Sequence, residues 1–354
     1  MKTLRIMMTG AGAPGAPGII RCYRNNSERS VRVIGCDMNA KIPTIGMLDA
    51  FYQIPAAKEP NFISSVLEIA VAENVDVIQP LVTKELEVFA KFEKVFSEKG
   101  IAVCISPLEH LEIANNKGYL LERLKENGIQ VPKYVKIQKV EEFRGACEEL
   151  GYPLNAVCFK PTVSNGSRGF RVIDSSHDDY RQLFNEKPNS THINLESAES
   201  ILGSRDTIPE LLVMEYLPGE EYSVDMLVNR GETLCAIPRK RLKMNGGIST
   251  WCKVEKKEDI IIYCIQIAKE LKLHGNIGIQ VRYDNNNVIK ILEINPRVQG
   301  SIVCCAAAGV NLPYLAIKQA IGEEIGDIEV KWGTEMVRYW KEVFYDIEGH
   351  AFAY

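Results

Sequence analysis

The sequence lacks any apolar run of the ~20 residues that a membrane-spanning helix needs, so no membrane partner is expected. Its first residues, MKTLRIMMTGAG, hold a short apolar stretch that ends in a glycine turn. A secretory signal needs a longer stretch followed by a small-residue cleavage site. Positive charge is not in excess: 42 Lys and Arg against 46 Asp and Glu leave a net charge of −4. That excludes a general nucleic-acid binder, because a phosphate backbone calls for a basic face. The dense basic run PRKRLK (238–243) is too short to reverse the balance. The ten cysteines contain no C-x-x-C pair, and only Cys304-Cys305 are adjacent, so neither a zinc site nor a disulfide framework is expected. Scattered thiols suit small buried hydrophobes in a reducing, cytoplasmic setting. No internal repeat is visible.

What is present is a soluble globular composition: 354 residues, 46% hydrophobic and 25% charged, long enough for two or three domains. In the first hundred residues, short apolar runs (LRIMMTG, VRVIGCD, VDVIQPL, IAVCIS) alternate with helical stretches near 18–25, 60–73 and 84–98. Strands alternating with helices predict a parallel, doubly wound α/β domain ending near Ser106-Pro107. From 108 to 150 helices dominate, and the remainder mixes strands and helices in an α+β pattern. Residues 185–210 are polar and Pro/Ser-rich, and part of them reads as a loop insertion or mobile cover.

GAGAPG (10–15) satisfies G-x-G-x-x-G after a predicted strand, and Asp37 ends the next strand, which matches the outline of a dinucleotide fingerprint. Pro14 and Pro17 occupy the turn and the first helical positions. A tight strand-to-helix turn outweighs NAD binding, although the loop is placed to line a substrate pocket.

The chemistry gathers elsewhere. In KILEINPRVQGS (290–301) a strand puts Glu293, Asn295 and Arg297 at every second position, hence on one face. Such a face is either solvated or built for a cation and an anion. If the preceding hairpin turns over two or four Asn-rich residues, Gln280 falls opposite Glu293, and Gln280, Glu293 and Asn295 converge on one cation. An odd-length loop would spoil that register. Oxygen ligands with a single carboxylate suit Mg²⁺ shared with substrate phosphates. FKPTVSNGSRGF (159–170) places Lys160 before a flexible turn, Ser164 to Gly169, whose backbone N–H groups make an anion nest or simply close a hairpin. It lacks the G-K-[ST] ending of a P-loop. In LLVMEYLPGEEYSVDML (211–227), Glu215, Glu220, Glu221 and Asp225 cluster about a Pro-Gly break, as a ribose or metal site or as a solvated turn. Extended, IPRKRLK presents Arg239, Arg241 and Lys243 on one face, for phosphate or carboxylate or as a charged edge strand.

Lys117 in NNKGYL, Lys160 with its glycine-rich turn, MEYLPGEEYSVD, Gln280 and E-I-N-P-R, in that order, resemble the ATP-grasp superfamily, and most closely carbamoyl-phosphate-synthase-like ligases. The resemblance covers nearly the whole chain. It implies a Rossmann-like pre-ATP-grasp domain (1–107) followed by a two-lobed ATP-grasp fold (108–212 and 213–354). It also implies ATP and Mg²⁺, with Mn²⁺ as a substitute metal, as cofactors. Lys117 and Lys160 would hold nucleotide phosphates, and Ser164, Gly166, Ser167, Arg168 and Gly169 would form the loop over the γ-phosphate. Glu215, Tyr216 and Leu217 would be the adenine hinge and Glu221 the ribose ligand. Gln280, Glu293 and Asn295 would bind metal, with Arg297 and Arg241 as catalytic residues. The expected activity is ATP-dependent carboxylate–amine or carboxylate–ammonia ligation through an acyl phosphate. The rivals are phosphorylation of bicarbonate or carbamate, and a non-catalytic nucleotide-binding module. There is room for one module and no glutaminase domain. Substrate contacts are expected from loops at 10–17, 83–85 and 238–250, and a homodimer is the default assembly.

Overall fold

In the computed structural model of the chain, residues 2–164, 166, 168–185 and 191–352 are described. Strand β1 (Leu4–Thr9) is buried at nearly every position, as an inner strand of a parallel sheet covered on both faces must be. It is followed by α1 (Ala16–Arg24), β2 (Val31–Asp37), β3 (Ala50–Gln53), α2 (Phe62–Ala72), β4 (Val77–Pro80), α3 (Thr83–Lys91), α4 (Glu93–Ser97), β5 (Ala102–Val103) and α5 (Leu108–Asn115). The five strands pair in parallel in the order β3-β2-β1-β4-β5, the doubly wound sheet that the alternation of strands and helices predicts. The single helix expected near 84–98 is two, because Phe92 leaves helical geometry at φ −114°, ψ 14°.

The chain divides into two compact units, one made of Met1–Asn115, Glu221–Val281 and Leu292–Tyr354, the other of Asn116–Glu220 and Arg282–Ile291. The second contains α6 (Lys117–Glu126), β6 (Tyr134–Ile137), α7 (Phe143–Glu149), β7 (Val157–Pro161), β8 (Arg171–Ile173), α8 (Asp179–Asn185), α9 (Leu195–Leu202) and β9 (Leu211–Glu215). Its strands form an antiparallel sheet in the order β6-β9-β7-β8. Phe143 and Cys147 of α7 and Leu195 and Ala198 of α9 pack on Val157, Phe159 and Val213 of that sheet. Helix α9 lies in the stretch read partly as loop. The Asn194 side chain accepts from the Ser197 N–H at its start, and two buried apolar residues one turn apart anchor it. Residues 186–190 of that stretch lie outside the described residues.

The first unit resumes with β10 (Glu221–Asn229), β11 (Glu232–Asn245), β12 (Ile248–Val254), α10 (Glu258–Glu270), β13 (Gly275–Tyr283), β14 (Ile289–Asn295), α11 (Val303–Ala307), α12 (Leu312–Ala320) and β15 (Glu335–Val337). These strands form a sheet in the order β14-β13-β10-β11-β12-β15, and the tip of the β13–β14 hairpin belongs to the second unit. Within the first unit the two sheets share one apolar core. Ile6, Met8, Ile19 and Tyr23 join Leu227, Ile237, Cys305, Tyr314 and Ile317 in it. The glycine–proline loop is part of this seam. A Cβ on Gly15 would stand 2.4 Å from the Gly300 Cα, and Arg338 donates to both Pro14 O (3.3 Å) and Gly300 O (2.8 Å). Asp37 accepts from the Gly12 N–H at 2.7 Å, so its carboxylate holds the turn. These contacts are those of a tight packing turn. All ten cysteines are free thiols, and no helix among the described residues is long and apolar enough to cross a membrane.

The most deeply buried charges are Asp225 of β10 and Arg239 of β11, which pair with side-chain exposures of 0% and 1%. Removing one partner strands the other in an apolar interior, so Asp225→Ala or Arg239→Met is expected to cost about 3–5 kcal/mol in urea unfolding. The double replacement Asp225→Val/Arg239→Met, which leaves no charge behind, should cost much less.

Candidate functional site

In the second unit, β9 runs out at Glu215, and Tyr216 and Leu217 continue the chain. Glu215 Oε1 accepts from the Lys133 N–H (2.8 Å) and from Lys290 Nζ (2.6 Å). Lys290 also reaches Asp284 Oδ2 at 3.0 Å, and its side chain is only 7% exposed. Burial opposes the Lys290 charge, but the two carboxylates prevail and its pKa is raised; that of Asp284 is lowered by its N–H donors and Lys290, against desolvation. The Tyr216 N–H donates to Ala156 O, its ring lies 5.3 Å from the Arg282 guanidinium carbon, and Leu217 is buried. Arg282 in turn donates to Gly219 O at 2.9 Å. The tip of the hairpin thus holds the segment from Glu215 to Gly219 by charge and by backbone. Lys290 was missed because a lone lysine in VIKIL reads as an outward-facing strand residue.

Lys117 stands at the start of α6, whose Asn116 cap accepts from the Gly118 and Tyr119 N–H groups. Both Lys117 and Lys160 of β7 are buried, and Lys117 Nζ donates to Ser164 O at 2.9 Å, tying one lysine to the glycine-rich turn. Gly166 and Gly169 have φ of 62° and 80°, the left-handed backbone such a turn requires. A Cβ on Gly169 would also strike Pro161 at 2.6 Å. Arg168 is exposed, and Ser167 lies outside the described residues.

In the first unit, the acids of the Pro-Gly break are not one cluster. Asp225 is paired with Arg239, and Glu221 with Arg241. Arg241 Nη1 also donates to Gln280 Oε1 at 3.0 Å, and its Nε to Ser249 Oγ at 3.2 Å. Lys243 leaves this face: the β11–β12 register shifts after Arg241, and Lys243 is exposed. The hairpin closes differently from expectation. Asp284 N–H bonds Val288 O (2.9 Å) and Asn287 N–H bonds Asp284 O (3.2 Å), which leaves three residues in the turn. Asn287 takes φ 56°, and the Asp284 carboxylate accepts from the Asn286 and Val288 N–H groups. Three is the odd length, so the even-loop argument for setting Gln280 opposite Glu293 does not hold. Gln280 is instead located by its bond to Arg241.

Along β14 the alternation becomes a hydrogen-bonded string. Asn295 Nδ2 donates to Glu293 Oε1 (3.2 Å), and Arg297 Nη2 donates to Asn295 Oδ1 (3.3 Å). Arg297 is half-buried, desolvation lowers its pKa against the pull of the Glu293 charge, and its Nε donates to Thr83 Oγ1 at 3.0 Å. Two residues beyond Thr83, Glu85 accepts from Thr9 Oγ1 at 2.7 Å. Burial lifts its carboxyl from 4.5 to about 7; the Thr9 hydroxyl opposes the rise and the Asp37 charge adds to it.

Residues 207–342 match the family model described as "ATP-grasp in the biosynthetic pathway with Ter operon", and residues 6–104 match "PylC-like, N-terminal domain". The carbamoyl phosphate synthase large chain of Clostridium acetobutylicum is 24% identical over 65% of this chain. This chain spans only 21% of that relative's length. The formate-dependent phosphoribosylglycinamide formyltransferase of Wolinella succinogenes is 25% identical over 84% of this chain and 70% of its own. Among solved structures, the ADP complex of an N5-carboxyaminoimidazole ribonucleotide synthetase superposes with a TM-score of 0.70 at 18% identity, covering 93% of this chain and 80% of that one.

Glu85 gives a pH signature. The folded carboxyl keeps its proton up to about pH 7, whereas the unfolded one releases it near 4.5. In that window the unfolded chain binds fewer protons, so stability falls as pH rises, by on the order of 3 kcal/mol. Urea unfolding at pH 5 and pH 8 should show this loss in the unaltered protein and a smaller one in Glu85→Gln.

Proposed function

We propose that this chain, which carries an ATP-grasp domain behind a PylC-like N-terminal domain, is an ATP-dependent ligase joining a carboxylate to an amine or to ammonia. The observation that carries the reading is the string Glu293–Asn295–Arg297 at the end of β14. An all-oxygen donor set with one carboxylate has the chemistry of a hard cation shared with phosphates. Gln280, Glu293 and Asn295 would hold Mg²⁺, or Mn²⁺ in its place, which when bound neutralises charge on the phosphates. Lys117 and Lys160 would hold the nucleotide phosphates, and the backbone of Glu215, Tyr216 and Leu217 the adenine. Glu221 would take the ribose once Arg241 shares it.

A carboxylate oxygen attacks the γ-phosphorus, the bond to the β–γ bridging oxygen breaks, and ADP leaves behind an acyl phosphate. The amine nitrogen then attacks the acyl carbon, the bond to the phosphate oxygen breaks, and the nitrogen loses a proton. Charge spreads over the phosphoryl oxygens in the first step, so Arg297 and Arg241 contribute as fixed cations. Acyl phosphates hydrolyse readily, so water has to be kept from the intermediate; Ser164, Gly166, Arg168 and Gly169, with Ser167 outside the described residues, would be the residues over the γ-phosphate. Small-molecule carboxylates and amines are the proposed partners, with a homodimer as the assembly. Ten unpaired thiols support a cytoplasmic location.

A second reading, phosphorylation of bicarbonate or carbamate, is favoured by the likeness to carbamoyl phosphate synthase large chains. An ADP-release screen over paired carboxylates and amines, with bicarbonate and ammonia included, separates the two. The ligase reading expects ADP and phosphate, slow ADP formation with carboxylate alone, and a hydroxamate when hydroxylamine is added. AMP and pyrophosphate would sink it, and strict dependence on bicarbonate would select the second reading. Glu293→Gln should abolish turnover while leaving most ATP affinity; wild-type turnover in that variant would remove Glu293 from the site.

A further inference from the structure

We infer that Thr83 is a positioning residue for phosphoryl transfer, acting by fixing the plane of the Arg297 guanidinium. The inference rests on the ligase reading for what Arg297 does.

A guanidinium offers five N–H donors in a rigid plane. Three are used within the first unit: Nε to Thr83 Oγ1 (3.0 Å), Nη1 to Val298 O (2.9 Å) and Nη2 to Asn295 Oδ1 (3.3 Å). One N–H is left on each terminal nitrogen, the pair that grips two oxygens of a carboxylate or phosphoryl group side by side. Where that pair points depends on the three bonds already made. Two of them come from residues within two positions of Arg297, which travel with it. The bond to Thr83 is different in kind, because it comes from 214 residues away in the sequence.

Thr83 is the first residue of α3, directly after β4. In the order β3-β2-β1-β4-β5 the strand sequence reverses between β1 and β4. Ligands gather outside the carboxyl ends of strands at such a reversal. The N-terminal sheet therefore supplies the reference against which the arginine is oriented. Threonine suits the task, because its branched Cβ restricts χ1 and so fixes the direction of the hydroxyl. Valine has nearly the same shape and no acceptor. Serine keeps the acceptor and loses the stiffness.

The test compares Thr83→Val with Thr83→Ser, using carboxylate-dependent ADP release and the hydrogen exchange of the Arg297 Nε–H, read by NMR on arginine-labelled protein. Losing one hydrogen bond to a charged group should lower kcat about 10- to 100-fold in Thr83→Val. The KM for ATP should stay unchanged, and the melting temperature should fall by no more than the few degrees that one lost hydrogen bond costs. Thr83→Ser should recover to within about threefold of the unaltered protein. The Nε–H should exchange faster in Thr83→Val alone. Unchanged kcat in Thr83→Val overturns the inference, as does a Thr83→Ser variant equally impaired, or Nε–H exchange that does not respond. If the unaltered protein forms no ADP with any carboxylate, the ligase reading falls. The exchange measurement then decides by itself whether Thr83 holds Arg297, and an unchanged rate rejects it. Thr83→Ala replaces Thr83→Val should the latter fail to fold.

Discussion

A carboxylate withdrawn from water has to bring a cation with it, and this requirement organises the large sheet of the first unit. Glu221, Ser223 and Asp225 alternate along one face of β10, and the register with β11 sets Arg239 opposite Ser223. Asp225 takes Arg239, Glu221 takes Arg241, and Arg241 passes the line on to Gln280 of β13. The deep pair is sealed beside α11, where the Cys305 thiol lies 3.3 Å from Asp225. The shallow pair lies at the start of β10, with side-chain exposures of 13% for Glu221 and 5% for Arg241. Chemically similar acids and identical bases therefore pair in the deep interior at one position of the strand and nearer the surface at the other.

The position of Arg241 bears on what the Gln280 side chain is free to bind. Gln280 is neutral and offers an amide oxygen, which accepts from a guanidinium as well as it ligates a cation. In the structure that oxygen is occupied by Arg241 Nη1. A glutamate at this position would bind the arginine as a full ion pair and release it at greater cost. A glutamine gives up the contact at lower cost, which under the proposed function would let a cation take the arginine's place.

Much of this was legible in the sequence because it is local. The parallel sheet follows from apolar runs with helical spacers, and the polar string of β14 follows from alternation alone. The features that stayed hidden depend on residues far apart in the chain. Thr83 and Arg297, or Lys290 and Glu215, carry no pattern that announces their pairing. Alternation correctly put Arg239 and Arg241 on one face but could not say that α11 covers one of them. The hairpin shows the sharpest limit. Its register hung on whether the Asn-rich turn has an even or odd number of residues, and the Asp284 carboxylate chose three by capping two N–H groups. Composition also understated α9, where Leu195 and Ala198 anchor a helix inside an otherwise polar stretch.

The shared core of the first unit sets an order on synthesis. Ile6, Ile19 and Tyr23 leave the ribosome long before some of their packing partners, Cys305, Tyr314 and Ile317. Between them the whole of the second unit is translated. The second unit's sheet and helices can form while the N-terminal sheet still waits with one apolar side uncovered. A nascent chain of this design carries an exposed hydrophobic flank until those partners are made, an interval in which it depends on whatever shields such surfaces in the cell.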